Sequence, residues 1–225
     1  METAKREMTF LLAEPERRLL RWIAARLPSR IKPDHLTALG VLGAMLVGVS
    51  YALAGGHAGW LWLASGGLFV NWVGDSLDGT LARVRMIERP KYGYYIDHMV
   101  DAFNTAVIGI GIGLSPYVSL PIAMGLVILY LCLSINVYLE SSVFGLFELG
   151  FGIFGPTEVR LLLVIVNTGL YAGAMFSGLS ATGVARLADG VFALISIAML
   201  YSVMARFRIN LIRLSRLEPA QADSR

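Results

Sequence analysis

The chain has 225 residues, 56% of them hydrophobic and 16% charged, with a formal net charge of +3. A soluble domain usually carries about 45–50% apolar and about 25% charged residues, so this composition disfavours a soluble globular protein and excludes a disordered chain. The single cysteine, Cys132, excludes an intramolecular disulfide and a multi-cysteine zinc site. It lies in an apolar run and is expected to be an inert packing residue.

Residues 1–34 hold many charges. Arg17, Arg18, Arg21 and Arg26 alternate with Leu19, Leu20, Trp22, Ile23 and Leu27. This pattern predicts an amphipathic helix on the membrane surface, stopped near Pro28, with a merely solvated topogenic segment as the alternative. The start has no apolar h-region, so no cleaved signal peptide is expected.

A helix needs about 20 mostly apolar residues to cross a bilayer. Six stretches qualify: 36–54, 60–82, 94–114, 118–139, 159–177 and 185–205. Turn residues separate them, at Gly55-Gly56, Ser115-Pro116, Gly155-Pro156 and Ser177 to Gly183. The fold class expected is therefore an all-α integral membrane protein, with six transmembrane helices after an amphipathic N-terminal surface helix. Its divisions are residues 1–34, a membrane domain over 35–209 and a tail over 210–225. With six spans, 18 of the 19 Lys and Arg fall on one side and only Arg186 on the other. That bias predicts cytoplasmic termini. It also accounts for the basic balance without nucleic acid as a partner.

Spans two and three break the apolar pattern. They read Asn71-Trp72-Val73-Gly74-Asp75-Ser76-Leu77-Asp78-Gly79-Thr80-Leu81-Ala82-Arg83 and Gly93-Tyr94-Tyr95-Ile96-Asp97-His98-Met99-Val100-Asp101. One charge at the bilayer centre costs about 2.5–3.5 kcal/mol on insertion scales, so four carboxylates need a compensating reason. Asp75 and Asp78 are i and i+3, and Asp97 and Asp101 are i and i+4, so each pair shares a helix face. If the two helices pack antiparallel, the four acids converge. They cannot all stay ionised without cationic partners. Hard oxygen donors with no Cys or His cluster select Mg²⁺, Mn²⁺ or Ca²⁺ over zinc. Two such ions about 3.5–4 Å apart suit phosphoryl chemistry. Gly79 and the small Ala82 let a ligand approach the helix, and Arg83 offers a forked donor to a phosphate. The bland alternatives are Asp–Arg pairs, helix packing at the glycine and a topology signal at the arginine.

The run Asp75-x2-Asp78-Gly79-x2-Ala82-Arg83-x9-Gly93-x3-Asp97-x3-Asp101 resembles the signature of the CDP-alcohol phosphotransferase family at all eight fixed positions. Pro33-Asp34-His35-Leu36-Thr37 before span one and the six-span layout extend the resemblance less specifically. The resemblance implies that Asp75, Asp78 and Asp97 bind two divalent cations, Mg²⁺ or Mn²⁺. Asp101 would complete the second metal site and act as general base. Gly79, Ala82 and Arg83 would hold the CDP moiety, with Thr37 joining the substrate contacts. The reaction implied transfers a substituted phosphate from a CDP-linked donor to an alcohol and releases CMP. The partners implied are the CDP-linked lipid or CDP-alcohol, the acceptor alcohol, membrane lipid and a second copy of the chain as a homodimer. The location implied is a bacterial inner or plasma membrane with a cytoplasmic active site.

His98 competes with Asp101 as the base. An Asp-Ser pair is common at this point in bacterial relatives, and Asp97-His98 looks more like the choline/ethanolamine phosphotransferase branch. CDP-diacylglycerol with a polar alcohol and CDP-choline or CDP-ethanolamine with a diradylglycerol therefore both stay open. Asn71, one turn before Asp75, could orient a carboxylate, touch the nucleotide or make an interhelical hydrogen bond. Pro156 and Glu158 read as capping of span five. Arg160 could bind a substrate phosphate or snorkel to the interface. Glu140, Arg206 and Arg208 read as interfacial charges, and Asp189 with Arg186 as a local pair. Tyr94, Tyr95, Trp60 and Trp62 fit aromatic belts, and Gly109, Gly111 and Gly113 fit close helix packing. From another class, intramembrane carboxylates could serve an ion or proton transporter, although no repeat is visible. A scaffolding membrane protein without catalytic acids is a third reading.

Overall fold

The computed structural model describes residues 12–144, 156–176 and 181–218, and every regular element among them is an α-helix. In chain order these are α1 (Ala13–Ala24), α2 (Pro33–Leu53), α3 (Trp60–Val84), α4 (Pro90–Leu114), α5 (Leu120–Phe144), α6 (Pro156–Phe176) and α7 (Ala181–Leu217). Three of them, over Pro33–Leu53, Leu120–Phe144 and Thr182–Leu217, are long and apolar enough to cross a membrane. The polar load of α3 and α4 lies in the acids and their neighbours, and that of α6 in Glu158, Arg160 and Asn167. The six expected spans coincide with α2 to α7 apart from their ends. The largest difference is α7, whose 37 residues reach about 55 Å and run through the segment expected as a tail. Residues 206–217 contain no Gly or Pro to stop the helix.

Small residues decide how the helices meet. A Cβ on Gly74 would strike the backbone of Gly40 and Leu36, and one on Gly43 the backbone of Asn71. The glycines thus let α2 and α3 pack backbone to backbone. Gly111 of α4 meets Gly48 of α2 in the same way, while Gly109 and Gly113 lie against Val127 and Leu120 of α5. Tyr51 donates to Asn167 Oδ1 at 2.7 Å, and Asn167 Nδ2 donates to Ser65 Oγ at 3.1 Å, so one buried polar chain joins α2, α6 and α3.

Helix α1, expected on the membrane surface, packs against the ends of α2 and α3. Leu20 and Ala24 of α1 bury against Leu36 of α2 and Leu77 and Leu81 of α3. Leu19 and Trp22 stay exposed, with the Arg26 guanidinium 4.0 Å from the Trp22 ring centroid. Arg85, at the end of α3, donates to the carbonyls of Leu27, Pro28 and Ile31 and grips the α1–α2 linker.

Several expectations change. Cys132 is exposed rather than packed, because α5 presents it away from its neighbours. Asp189 accepts the backbone N–H of Ser119 at 2.7 Å instead of pairing with Arg186, since a free donor at the start of α5 is within its reach. Glu140 and Arg206, expected as interfacial charges, also bond to each other. They pair at 3.4 Å between α5 and α7, and Asn210 donates to Glu140 at 2.6 Å. Tyr94 is committed to a ring contact with His98, at 4.1 Å between centroids. The sequence beyond Glu218, with the last seven residues of the predicted tail, and the first eleven residues lie outside the described part.

Candidate active site

The last turns of α3 and the first turns of α4 run antiparallel through a short connection. Asp75 precedes the end of α3 by nine residues and Asp97 follows the start of α4 by seven, so a rise of about 1.5 Å per residue brings both to a similar depth. Asp75, Asp97 and Asp101 each offer one carboxylate oxygen, and the three oxygens lie within 4.8 Å of one another. Asp97 is exposed and the other two are half-buried. Such an all-oxygen set, with neither thiolate nor imidazole in it, fits a hard divalent cation.

Asp78 stands beside this trio rather than in it. Its Oδ2 accepts the Thr37 hydroxyl at 2.6 Å, and its Oδ1 accepts the Gly79 N–H. Thr37 reaches it because the Gly40–Gly74 contact draws the first turns of α2 against α3. Thr37 therefore meets one of the acids expected to bind metal.

Arg160 enters from α6. Its Nη2 lies 2.6 Å from Asp75 Oδ2, and its Nε donates to Asn71 Oδ1 at 3.0 Å. Asn71 is buried and donates in turn to the Gly40 carbonyl at 3.0 Å. The arginine therefore turns inward rather than snorkelling. Asn71 makes the interhelical hydrogen bond and also orients the arginine.

Gly79 bears no backbone against it from another helix. A Cβ there would meet only the tip of Arg83, at 3.4 Å. Arg83 is exposed, spans this open face and donates to Thr80 Oγ1 at 3.1 Å; Ala82 is half-buried beside it. His98 lies between the rings of Tyr94 and Tyr138, at 4.1 and 4.2 Å, with Nδ1 2.6 Å from the Tyr94 carbonyl and 3.9 Å from Asp97.

Sequence reasoning missed Glu16. Its carboxylate accepts from Trp72 Nε1 at 2.7 Å, Thr157 Oγ1 at 2.9 Å and Ser76 Oγ at 3.3 Å, joining α1, α3 and the start of α6. The usable signal was Trp72, since an indole N–H on a largely apolar helix calls for an acceptor. Tyr138 had no signal in the sequence, because its partner His98 is on a different helix.

The family profile for CDP-alcohol phosphatidyltransferases matches residues 30–204, more than half of the chain. The chain belongs to the CDP-alcohol phosphatidyltransferase family. Its three long apolar helices fit a membrane protein. Over 90 residues it is 33% identical to the phosphatidylinositol phosphate synthase of Cutibacterium acnes (strain DSM 16379 / KPA171202). That stretch makes up 40% of this chain and 41% of the relative, so the chain matches less than half of the relative's length.

Proposed function

We propose that this CDP-alcohol phosphatidyltransferase transfers a substituted phosphate from a CDP-linked donor, CDP-diacylglycerol in the first instance, to a polar alcohol in a metal-dependent reaction. The observation that carries this reading is the convergence of Asp75, Asp97 and Asp101 beside Arg160, within the family's motif. Those three acids, with Asp78 next to them, would hold two divalent cations, Mg²⁺ or Mn²⁺. Cations bound there neutralise the pyrophosphate and stabilise the departing CMP.

The chain's own groups do the rest. Arg83 spans the open face of Gly79 and offers its fork to a donor phosphate, while Ala82 leaves room for the nucleotide. Thr37 holds Asp78 in place, and Arg160, itself held by Asn71, fixes Asp75. As the acceptor oxygen bonds to phosphorus, the bond from that phosphorus to the bridging oxygen breaks and CMP leaves with that oxygen. Asp101 receives the hydroxyl proton. His98, enclosed by Tyr94 and Tyr138, supports Asp97 rather than acting as the base.

In this reading α2 to α7 cross the membrane of a bacterial cell as six spans, with both termini and the acids on the cytoplasmic side where the basic residues lie. The protein works as a homodimer. The relative's name, a synthase of a phosphatidyl product, supports the CDP-diacylglycerol donor. The Asp97-His98 pair favours the reverse arrangement, CDP-choline or CDP-ethanolamine with a diradylglycerol. Mass spectrometry of products from purified protein offered both donor types with a panel of alcohols tests the reading. A phosphatidyl-alcohol together with CMP supports it. Turnover confined to the soluble CDP-alcohols transfers the assignment to the reverse arrangement.

A further inference from the structure

Asn104 is 5% exposed, and neither its Nδ2 nor its Oδ1 has a hydrogen-bond partner among the described residues. A buried amide left with no partner at all would be costly, so a partner outside the protein's own groups is called for. Its position shows what can satisfy it. At 3.6 residues per turn, residues 97, 101, 104, 108 and 111 fall on one stripe of α4. Gly111 of this stripe meets the backbone of Gly48 on α2. Asn104 therefore lies on the side of α4 that faces α2, between the carboxylates and that close helix contact. Asp101 is one turn away, with side chains on adjacent turns about 5–6 Å apart at Cβ. The two make no direct hydrogen bond, and at this spacing they are close enough to share one small polar molecule.

We propose that Asn104 is a positioning residue for Asp101: its carboxamide holds a buried water that hydrogen-bonds to the Asp101 carboxylate and sets its orientation toward the cations. A buried water needs two to four polar partners, and the amide and the carboxylate together supply them. Groups that orient metal ligands from behind in this way typically change metal affinity or activity about 10–100-fold when removed. The inference rests on the metal-dependent reading above.

The test compares wild type, Asn104→Leu and Asn104→Ser in detergent, measuring Mn²⁺ affinity by calorimetry or electron spin resonance together with thermal stability. Leu has similar volume and cannot hold water, whereas Ser keeps a hydroxyl and leaves space for it. The expected result is that Leu weakens Mn²⁺ binding about tenfold or more while Ser stays within about threefold of wild type. If Leu binds Mn²⁺ as wild type does and melts higher, the amide is a tolerated orphan and the inference fails alone. Equal losses in Leu and Ser assign Asn104 to packing and overturn it as well. Wild-type protein that binds no Mn²⁺ overturns the metal reading and this inference together. Should Asn104→Leu fail to fold, Asn104→Val takes its place with the same readings.

Discussion

The Arg160 guanidinium lies 2.6 Å from the Asp75 carboxylate, across 85 residues of chain, and with it α6 contributes a cation to an acidic site otherwise built from α3 and α4. Arg160 uses two different nitrogens, one on Asp75 and one on Asn71. A lysine has only one ammonium centre and cannot reproduce that fork. Arg160→Ala and Arg160→Lys are both expected to lower kcat/KM for CMP release about 10–100-fold, the range for losing a hydrogen bond between charged groups. Wild-type kinetics in Arg160→Lys would show that the fork has no role.

Asp78 and Thr37 form a second coupled pair. Asp78→Asn removes a carboxylate from the site and is expected to abolish CMP release. Thr37→Val leaves the carboxylate and removes only its 2.6 Å hydrogen bond. It should therefore raise the metal concentration needed for half-maximal activity about 3–10-fold, within the net worth of one hydrogen bond. Metal titration of turnover in both variants checks this, and full activity in Asp78→Asn would remove it from the ligands.

Two glycines of α3 should respond in opposite ways. Gly74 faces the backbone of α2, so Gly74→Ala forces the helices apart and should cost about 1–3 kcal/mol or more. Gly79 meets only the flexible tip of Arg83, so Gly79→Ala should melt as wild type does and lose activity by narrowing the face proposed for the nucleotide. Melting curves and CMP release measured on both variants decide the matter. A Gly74→Ala protein as stable as wild type would contradict the packing described.

Glu16 accepts hydrogen bonds from Trp72, Ser76 and Thr157, so Glu16→Ala frees the start of α6 as well as α1. The expected loss is about 1–3 kcal/mol of stability for donors left without their acceptor. Glu16→Gln keeps one acceptor oxygen and should lose less. Equal melting temperatures in wild type and Glu16→Ala would rule out the tether.

What could be read from the sequence was periodic or dense. The apolar runs marked α2 to α7, and the acids could be paired into faces because i, i+3 and i, i+4 spacings depend only on one helix. The short connection suggested that α3 and α4 pack on each other, whereas each packs chiefly on α2, and the acids meet beside it. Contacts between distant helices were not legible. Arg160 could be flagged as out of place, but not given Asp75 and Asn71 as partners. Glu16 looked like one more charge in an Arg-rich segment. Asn104 carried no signal in the sequence, because only the packed structure shows that no described residue reaches its amide. The Asp189–Arg186 pair was misread for the converse reason: local spacing suggested it, and the nearby Ser119 N–H took the carboxylate instead.

The most direct test of the account is CMP release from a CDP-linked lipid by the purified protein, before and after chelation of divalent ions, with Asp101→Asn measured in parallel. The account predicts that release stops on chelation, returns with Mg²⁺ or Mn²⁺, and is absent in Asp101→Asn protein that still folds. Release that continues in the chelated enzyme, or in Asp101→Asn, would contradict it.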